Sequence, residues 1–333
     1  MKPTNDGPAA GNSRYFAPPF QRIGADYTAK FHIKSTYRGS RAVPCYLVVF
    51  TCFVTRAVHV EVVLSEEAEG FLMAFKRMMS TRGHPQHVFS DNAANFKRAA
   101  LEIAETIDLN NKVIKDMQER HRFQWHYSVE YHSSGGGVWE RMVKAIKVPL
   151  RKVLGENLLT YVELLTVVKE IEGQVNDRPL IQASEDSFEV ITPSMLCLGR
   201  RIALWPDYFA ETEYRQESSI RLRWESRKEL VAEFRRLWLK QYLPQLQERK
   251  KWKKSHPPLE VGDLVLLETA NLKQFKWPVA RVNKIITGAD GLIRSVWLRT
   301  KDSKGLLKRG VHELFPLEAS GDNDLKLQPH KQE

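Results

Sequence analysis

The chain has 333 residues, 42% of them hydrophobic, which suits two or three folded cores and excludes a disordered polymer. Its formal charge is +11, and the excess is concentrated in residues 201–310, where 24 Lys and Arg face 13 Asp and Glu, so a polyanion should dock on the second half with salt-sensitive affinity. Three cysteines (Cys45, Cys52, Cys197) without a CxxC speak for a reducing, intracellular setting and against a structural zinc site; MKPTNDGPAAGNSR has no signal-peptide core, and the longest apolar run, CYLVVFTCFV, is too short to cross a bilayer.

Residues 1–18 read as a loose Pro/Gly/Asn-rich lead-in. A first strand is expected within Phe20–Ser35, then an apolar strand over 43–53 and an alternating one over 56–64, the three pairing antiparallel. A helix should open near Ser65, carry Phe71, Leu72, Phe75 and Met78/Met79 on one stripe and stop at Gly83. HVFS is a short strand, 95–107 a helix that 108–120 continues or follows with a second, and 123–128 a last strand. After the glycine-rich loop 131–137, two amphipathic helices are expected over 138–154 and 160–177, closed by Arg178–Pro179. Strands followed by alternating helices and strands predict an α/β fold with a mixed sheet. Residues 183–215 look irregular. A helix over 219–243 leads to the basic run RKKWKK at 249–254, and four short β-patterned pieces after Pro257–Pro258 predict a small all-β barrel. The tail from Ser320 is polar.

Asp26 in RIGADY, Asp91 in HVFSDN and Glu140 in GGGVWER stand where strands end or a helix begins. Singly they have ordinary roles: a turn residue, an N-cap, a first-turn acid favoured by the helix dipole. Brought together they would repel one another unless cations neutralised them, and hard oxygen ligands suit Mg²⁺, with Mn²⁺ as substitute. Two such ions can activate an attacking oxygen and stabilise a leaving one without a nucleophilic side chain; Ser90 and Cys52 have no evident activating base. Lys144, Lys147 and Arg151 follow Glu140 at helical spacing, where a phosphate backbone would meet them. Asn92 and Asn95 are candidates for orienting Asp91 or touching DNA. Arg249, Lys250, Lys251, Lys253 and Lys254 form the densest basic run. The alternative in both cases is a solvated basic face. The scattered histidines lack ligand spacing, and Trp125 and Trp139 suit packing better than base stacking.

The segments RIGADY, FTCFVTRAVHVEVV, FLMAFKRMMSTRGHP, FSDNAANF, GGGVWERMVKAIK, EIEGQVNDRPL and ITPSMLCLGR, in that order and spacing, resemble the integrases of Pao/BEL-type long-terminal-repeat retrotransposons, from about Phe20 to Leu317. The resemblance implies a ribonuclease-H-like catalytic core with flanking helices over residues 19–200, a helical basic linker over 201–256, a small SH3-like β-barrel that binds DNA over 257–318, a flexible segment over 1–18 and a disordered tail over 319–333. It implies Asp26, Asp91 and Glu140 as catalytic metal ligands, two Mg²⁺ ions with DNA, and Lys144 and Lys147 as DNA contacts. It further implies 3′-end processing of element DNA and its transfer into target DNA, a homo-oligomer, no membrane, and a nuclear location with a cytoplasmic particle stage in an active element.

Three local departures accompany the resemblance. Thr28-Ala29-Lys30 stands where the family has Gly-Pro after its DY, Ala93 replaces a glycine beside Asp91, and Ser133–Ser134 replaces Pro-His. The family's upstream zinc-binding domain has no counterpart here, as expected of a fragment, a truncated gene or a host protein without that module. The alternative reading is a domesticated or decayed, non-catalytic DNA-binding protein; a ribonuclease-H-type nuclease without strand transfer is a third.

Overall fold

The computed structural model describes residues 17–28, 30–35, 41–91, 93–109, 124–127, 136–155, 157–184, 186–202, 219–247, 259–267, 277–288, 293–301, 303 and 305–318. The first strand breaks in two, β1 (Arg22–Tyr27) and β2 (Phe31–Ile33), lying end to end along one edge of β3 (Val43–Cys52). β4 (Val58–Val63) takes the other edge of β3, and all these pairings are antiparallel. α1 (Ala68–Arg82) then carries the chain across the sheet. It ends at Gly83, whose φ of 92° suits a residue without Cβ, and β5 (His87–Ser90) pairs parallel with β1. After α2 (Ala94–Leu109), β6 (Gln124–Tyr127) adds parallel to β5. The resulting order β4–β3–β1–β5–β6, with β3 reversed, is that of a ribonuclease-H-like sheet.

Strand alternation divides the core into two faces. Ile23, Ala25 and Tyr27 of β1 and Phe50 of β3 pack on Phe71, Phe75 and Met78 of α1 and Phe96 of α2. Leu72 and Met79, expected on the same α1 stripe, sit at the margin of this cluster. On the opposite face, Leu47 and Val49 of β3 and Val58, Val60 and Val62 of β4 meet α3 (Gly136–Gly155) and α4 (Tyr161–Asn176). α4 opens on a reciprocal capping box: the Glu163 N–H donates to Thr160 Oγ1, and the Thr160 N–H donates to Glu163 Oε2 at 3.0 Å. Within its described part, the stretch 183–215, expected to be irregular, holds β8 (Val190–Ile191), which pairs antiparallel with β7 (Ile181–Gln182) just before the stretch, and a short helix, α5 (Pro193–Leu198).

The helix expected as a linker, α6 (Ser219–Gln247), is part of the main core. Leu230, Phe234, Trp238 and Tyr242 are buried in the same cluster as β3, β4, α3 and α4. The reason is a stripe of large apolar side chains at helical spacing, which a solvated linker could not cover. Five antiparallel strands follow, in the order β12–β11–β10–β9–β13: β9 (Leu264–Leu267), β10 (Val279–Thr287), β11 (Ile293–Thr300), β12 (Leu307–Gly310) and β13 (Leu314–Pro316). This all-β unit has a small core of its own around Val265, Val282, Val296 and Leu298. It also contributes Leu264, Leu266, Phe315 and Leu317 to the main core. Among the described residues no helix is long and apolar enough to cross a membrane.

The end of the all-β unit is tied to the first domain by a buried ion pair. Arg178 is fully buried and donates through Nε to Glu318 Oε2 at 2.7 Å, while Tyr242 Oη donates to the same oxygen at 2.8 Å. Arg56, at φ 57°, donates to Glu318 Oε1 at 3.2 Å, and its carbonyl accepts from Arg178 at 2.8 Å. Burial by itself pushes the Glu318 carboxyl up. The Arg178 and Arg56 charges and the hydrogen bonds from Arg178 and Tyr242 outweigh it and hold the group down at about 2.

Removing one partner of such a pair strands the other charge. Glu318→Gln and Arg178→Met should each destabilise the folded chain by about 3–5 kcal/mol in chemical denaturation. Glu318 takes up its proton near pH 4.3 in the unfolded chain and near 2 when folded, so its contribution is whole above about pH 4.3 and drains away as pH falls toward 2. Glu318→Gln should flatten that part of the pH–stability profile.

Candidate active site

The parallel β1–β5 seam ends with Ala25 opposite Ser90. The next residue on each strand is an aspartate, so Asp26 and Asp91 stand on neighbouring strand ends, about 5 Å apart in the hydrogen-bonding direction. Ile23, Ala25 and Tyr27 point into the α1 face, which turns Asp26 toward the face that carries α3. There the Lys147 ammonium meets Asp26 Oδ2 at 2.6 Å. Burial raises the Asp26 carboxyl above the usual range, Lys147 lowers it, and the nearby Asp91 charge raises it again; the balance is upward. Asp91 itself is exposed, and its Oδ1 accepts from the Ala93 N–H at 3.2 Å, a local turn that holds the carboxylate at the strand end.

The floor beneath the pair is rigid. Ser90 is 1% exposed; it accepts from Trp125 Nε1 at 3.0 Å and donates to the Asp91 carbonyl at 2.9 Å. That excludes Ser90 as an accessible nucleophile and gives Trp125 a packing role. Thr28, the first residue to depart from the family pattern, is buried and exchanges hydrogen bonds with Leu47 across the β1–β2 junction.

α3 begins at Gly136, inside the glycine run, so Glu140 lies one turn within the helix rather than at its opening. The Glu140 side chain lies outside the described residues, as does all of Asn92; Asn95 sits on α2 with its side chain likewise outside. Lys144 and Arg151 are exposed on α3, whereas Lys147, expected on a phosphate, is engaged by Asp26. Arg249, Lys250, Lys251, Lys253 and Lys254 all fall outside the described residues. Among the described residues no group of three or more His, Cys, Asp or Glu gathers as a metal site; the described part of the constellation is the pair Asp26 and Asp91.

Two clusters had no sequence signal beyond scattered polar residues in apolar strands. His59 lies between two buried carboxylates, with Nε2 2.9 Å from Glu61 Oε1 and Nδ1 3.5 Å from Glu172 Oε1. Arg77, Arg82 and Lys169 complete the network. Burial pushes both carboxyls up, but the adjacent His59 and the surrounding cations bring each down to about 2. With three cations around two carboxylates this cluster is already neutralised, and it binds β4 to α1 and α4. The second is a pair of imidazoles, His87 Nδ1 and His126 Nε2, 3.2 Å apart on β5 and β6, stacked beside Phe89.

The Lys147 contact has a measurable consequence. Lys147→Met should raise the Asp26 pKa further, because burial and Asp91 would then act without their counterweight; Lys147→Arg should restore most of it. A ¹³C-carboxyl titration of Asp26 in metal-free protein reads the shift, and no upward movement in Lys147→Met would remove the ion pair from solution chemistry.

A family profile described as "Family of unknown function (DUF5641)" matches residues 222–317, the stretch from α6 through β13. No curated protein matches the chain. Among solved structures, the simian T-cell lymphotropic virus intasome in complex with PP2A regulatory subunit B56 gamma is similar at 14% identity, over 92% of this chain and 82% of that one, with a TM-score of 0.36. The HTLV-2 integrase catalytic core domain in complex with magnesium is similar at 17% identity over 55% of this chain and 98% of that one, TM-score 0.33. The catalytic core domain of BIV integrase gives 15% identity, 54% and 95% coverage, and a TM-score of 0.34. Likeness at this level decides nothing about activity, which has to rest on the chain's own residues.

Proposed function

We propose that this chain is an integrase of the Pao/BEL retrotransposon type, a polynucleotidyl transferase that trims the 3′ ends of element DNA and joins them to target DNA. The observation that carries the reading is the pair Asp26 and Asp91, set side by side by the β1–β5 seam, with Asp26 held at a raised pKa and countered by Lys147. A fold that forces two carboxylates together at an accessible strand edge stores repulsion that a divalent cation relieves. Their hard oxygens fit Mg²⁺ or Mn²⁺. Asp26, Asp91 and Glu140 would hold it. When bound, such an ion supplies charge stabilisation for attacking and leaving oxygens in an in-line phosphoryl displacement.

The chain's own residues then do the following. Asp26 and Asp91 are positioned by the β1–β5 seam, so little reorganisation accompanies the reaction. Lys147 would turn its ammonium from Asp26 to a backbone phosphate, and Lys144 and Arg151 would extend that contact along α3. Asn92 and Asn95 orient the strand end against DNA, and the run from Arg249 to Lys254 holds the duplex by its phosphates. A homo-oligomer on two DNA ends and a nuclear location belong to the same reading. The competing one is a non-catalytic element-derived DNA-binding protein, favoured by the drifted residues Thr28 and Ala93.

Joining of element-end DNA to a plasmid in Mg²⁺ or Mn²⁺ should be seen with the wild-type chain and lost in Asp91→Asn, by at least about two orders of magnitude. Joining that survives the substitution would remove Asp91 from catalysis, and its absence from wild type with the correct end sequence would select the binding protein. Replacing Lys251, Lys253 and Lys254 with Ala should weaken duplex binding at low salt and lower the salt slope by about three. Unchanged affinity would make that run a solvated face.

A further inference from the structure

The outward face of the C-terminal sheet carries a surface that the catalytic reading does not use. On β11, Val296 and Leu298 are fully buried in the small core, so Trp297 between them points out of the sheet. Its cross-strand neighbours are Lys284 on β10 and Lys308 on β12, both exposed. An indole thus stands between two ammonium groups whose strands lie about 10 Å apart. Arg299, two residues along β11, adds an exposed guanidinium to the same face, opposite Arg281. Arg281 is itself occupied: it lies over the Phe188 ring, 5.4 Å from its centroid, and donates to the Ser187 and Gly262 carbonyls. Glu313 is turned to the Gly310 N–H at 3.2 Å, with Arg309 Nε 3.9 Å away.

Like charges arranged around an aromatic on one side of a sheet cost stability unless an anion meets them. The lysine stems can cover part of the indole, which is the ordinary packing role for such a trio. What packing does not account for is the convergence of Lys284, Lys308 and Arg299 around one ring. A cationic ligand would be repelled. A plain duplex would satisfy the cations but keeps its base faces stacked inside. We infer that this surface binds a single-stranded nucleic-acid segment, with one unpaired base stacked on Trp297 and the flanking phosphates on Lys284, Lys308 and Arg299. The inference rests on the nucleic-acid part of the proposed function and is independent of catalysis.

The test is fluorescence anisotropy of the full chain carrying Asp91→Asn, in EDTA, against two labelled duplexes of equal length, one blunt and one with a short single-stranded overhang. The parent should prefer the overhang, and adding Trp297→Ala should abolish that preference, about a tenfold loss on the overhang with little change on the blunt duplex. Trp297→Phe should retain most of it, and it replaces the alanine variant if the latter's thermal melt falls. Lys284→Gln with Lys308→Gln should weaken both duplexes and lower the salt slope by about two. An overhang preference that survives loss of the indole, or parent protein that binds both duplexes equally, overturns the stacking site while leaving the nucleic-acid reading intact. Parent protein that binds neither duplex removes both. Binding of an acidic peptide in place of the overhang, abolished by Trp297→Ala, would reassign the surface to a protein partner and overturn the proposal.

Discussion

The parallel contact between β1 and β5 is the constraint on which the site depends. Two strands separated in the chain by β2, β3, β4 and α1 run in the same direction with Ala25 opposite Ser90, so Asp26, one residue before the end of β1, and Asp91, the first residue past β5, stand side by side. The sheet is held from both faces, by α1 and α2 on one side and by α3, α4 and α6 on the other. Burial and Asp91 keep the Asp26 proton affinity up, and the remaining freedom is exercised by Lys147, which swings its ammonium onto Asp26. The Lys147 side chain serves as an internal counter-ion to Asp26.

The second constraint is the closure at Glu318. A carboxylate at the end of the last β-unit reaches across to Arg178 at the end of α4, to Arg56 in the β3–β4 turn and to Tyr242 of α6. Three parts of the chain that could have been separate modules are therefore fixed by one buried group and by a shared apolar core. The described part of the C-terminal sheet is thereby tied to the core that carries β1 and β5. The outward row of Trp297, Lys284 and Lys308 is set by the register of β10, β11 and β12, and Arg281 on the same sheet donates to the Ser187 carbonyl.

Much of the fold was legible because its signals are local. Alternation in HVEVV, the apolar run of β3, the stripe through Phe71 and Phe75 and the stop at Gly83 each follow from backbone period and steric preference. The exceptions have physical causes. The first strand splits after Tyr27, beside Thr28, which exchanges hydrogen bonds with Leu47, a pairing between residues nineteen positions apart. α6 had the charge of a linker, and only the packing of Trp238 and Tyr242 against the strands makes it core. His59 and Glu61 lie at the polar positions of the alternating strand β4, which read as a solvent face, and their burial against α1 and α4 beside Glu172 depends on contacts far apart in the chain.

By itself the sequence determined the element types, the concentration of positive charge after residue 200, and the candidacy of Asp26, Asp91 and Glu140, since each depends on residue identity and near neighbours. The tertiary structure alone decided that Asp26 and Asp91 are neighbours, that Lys147 rather than solvent answers Asp26, that Glu318 locks the C-terminal unit to the core, and that Trp297 stands between two lysines. These are contacts between residues tens to hundreds of positions apart. Their existence follows from strand register and helix packing, which are set by the whole buried core and not by any one segment of it.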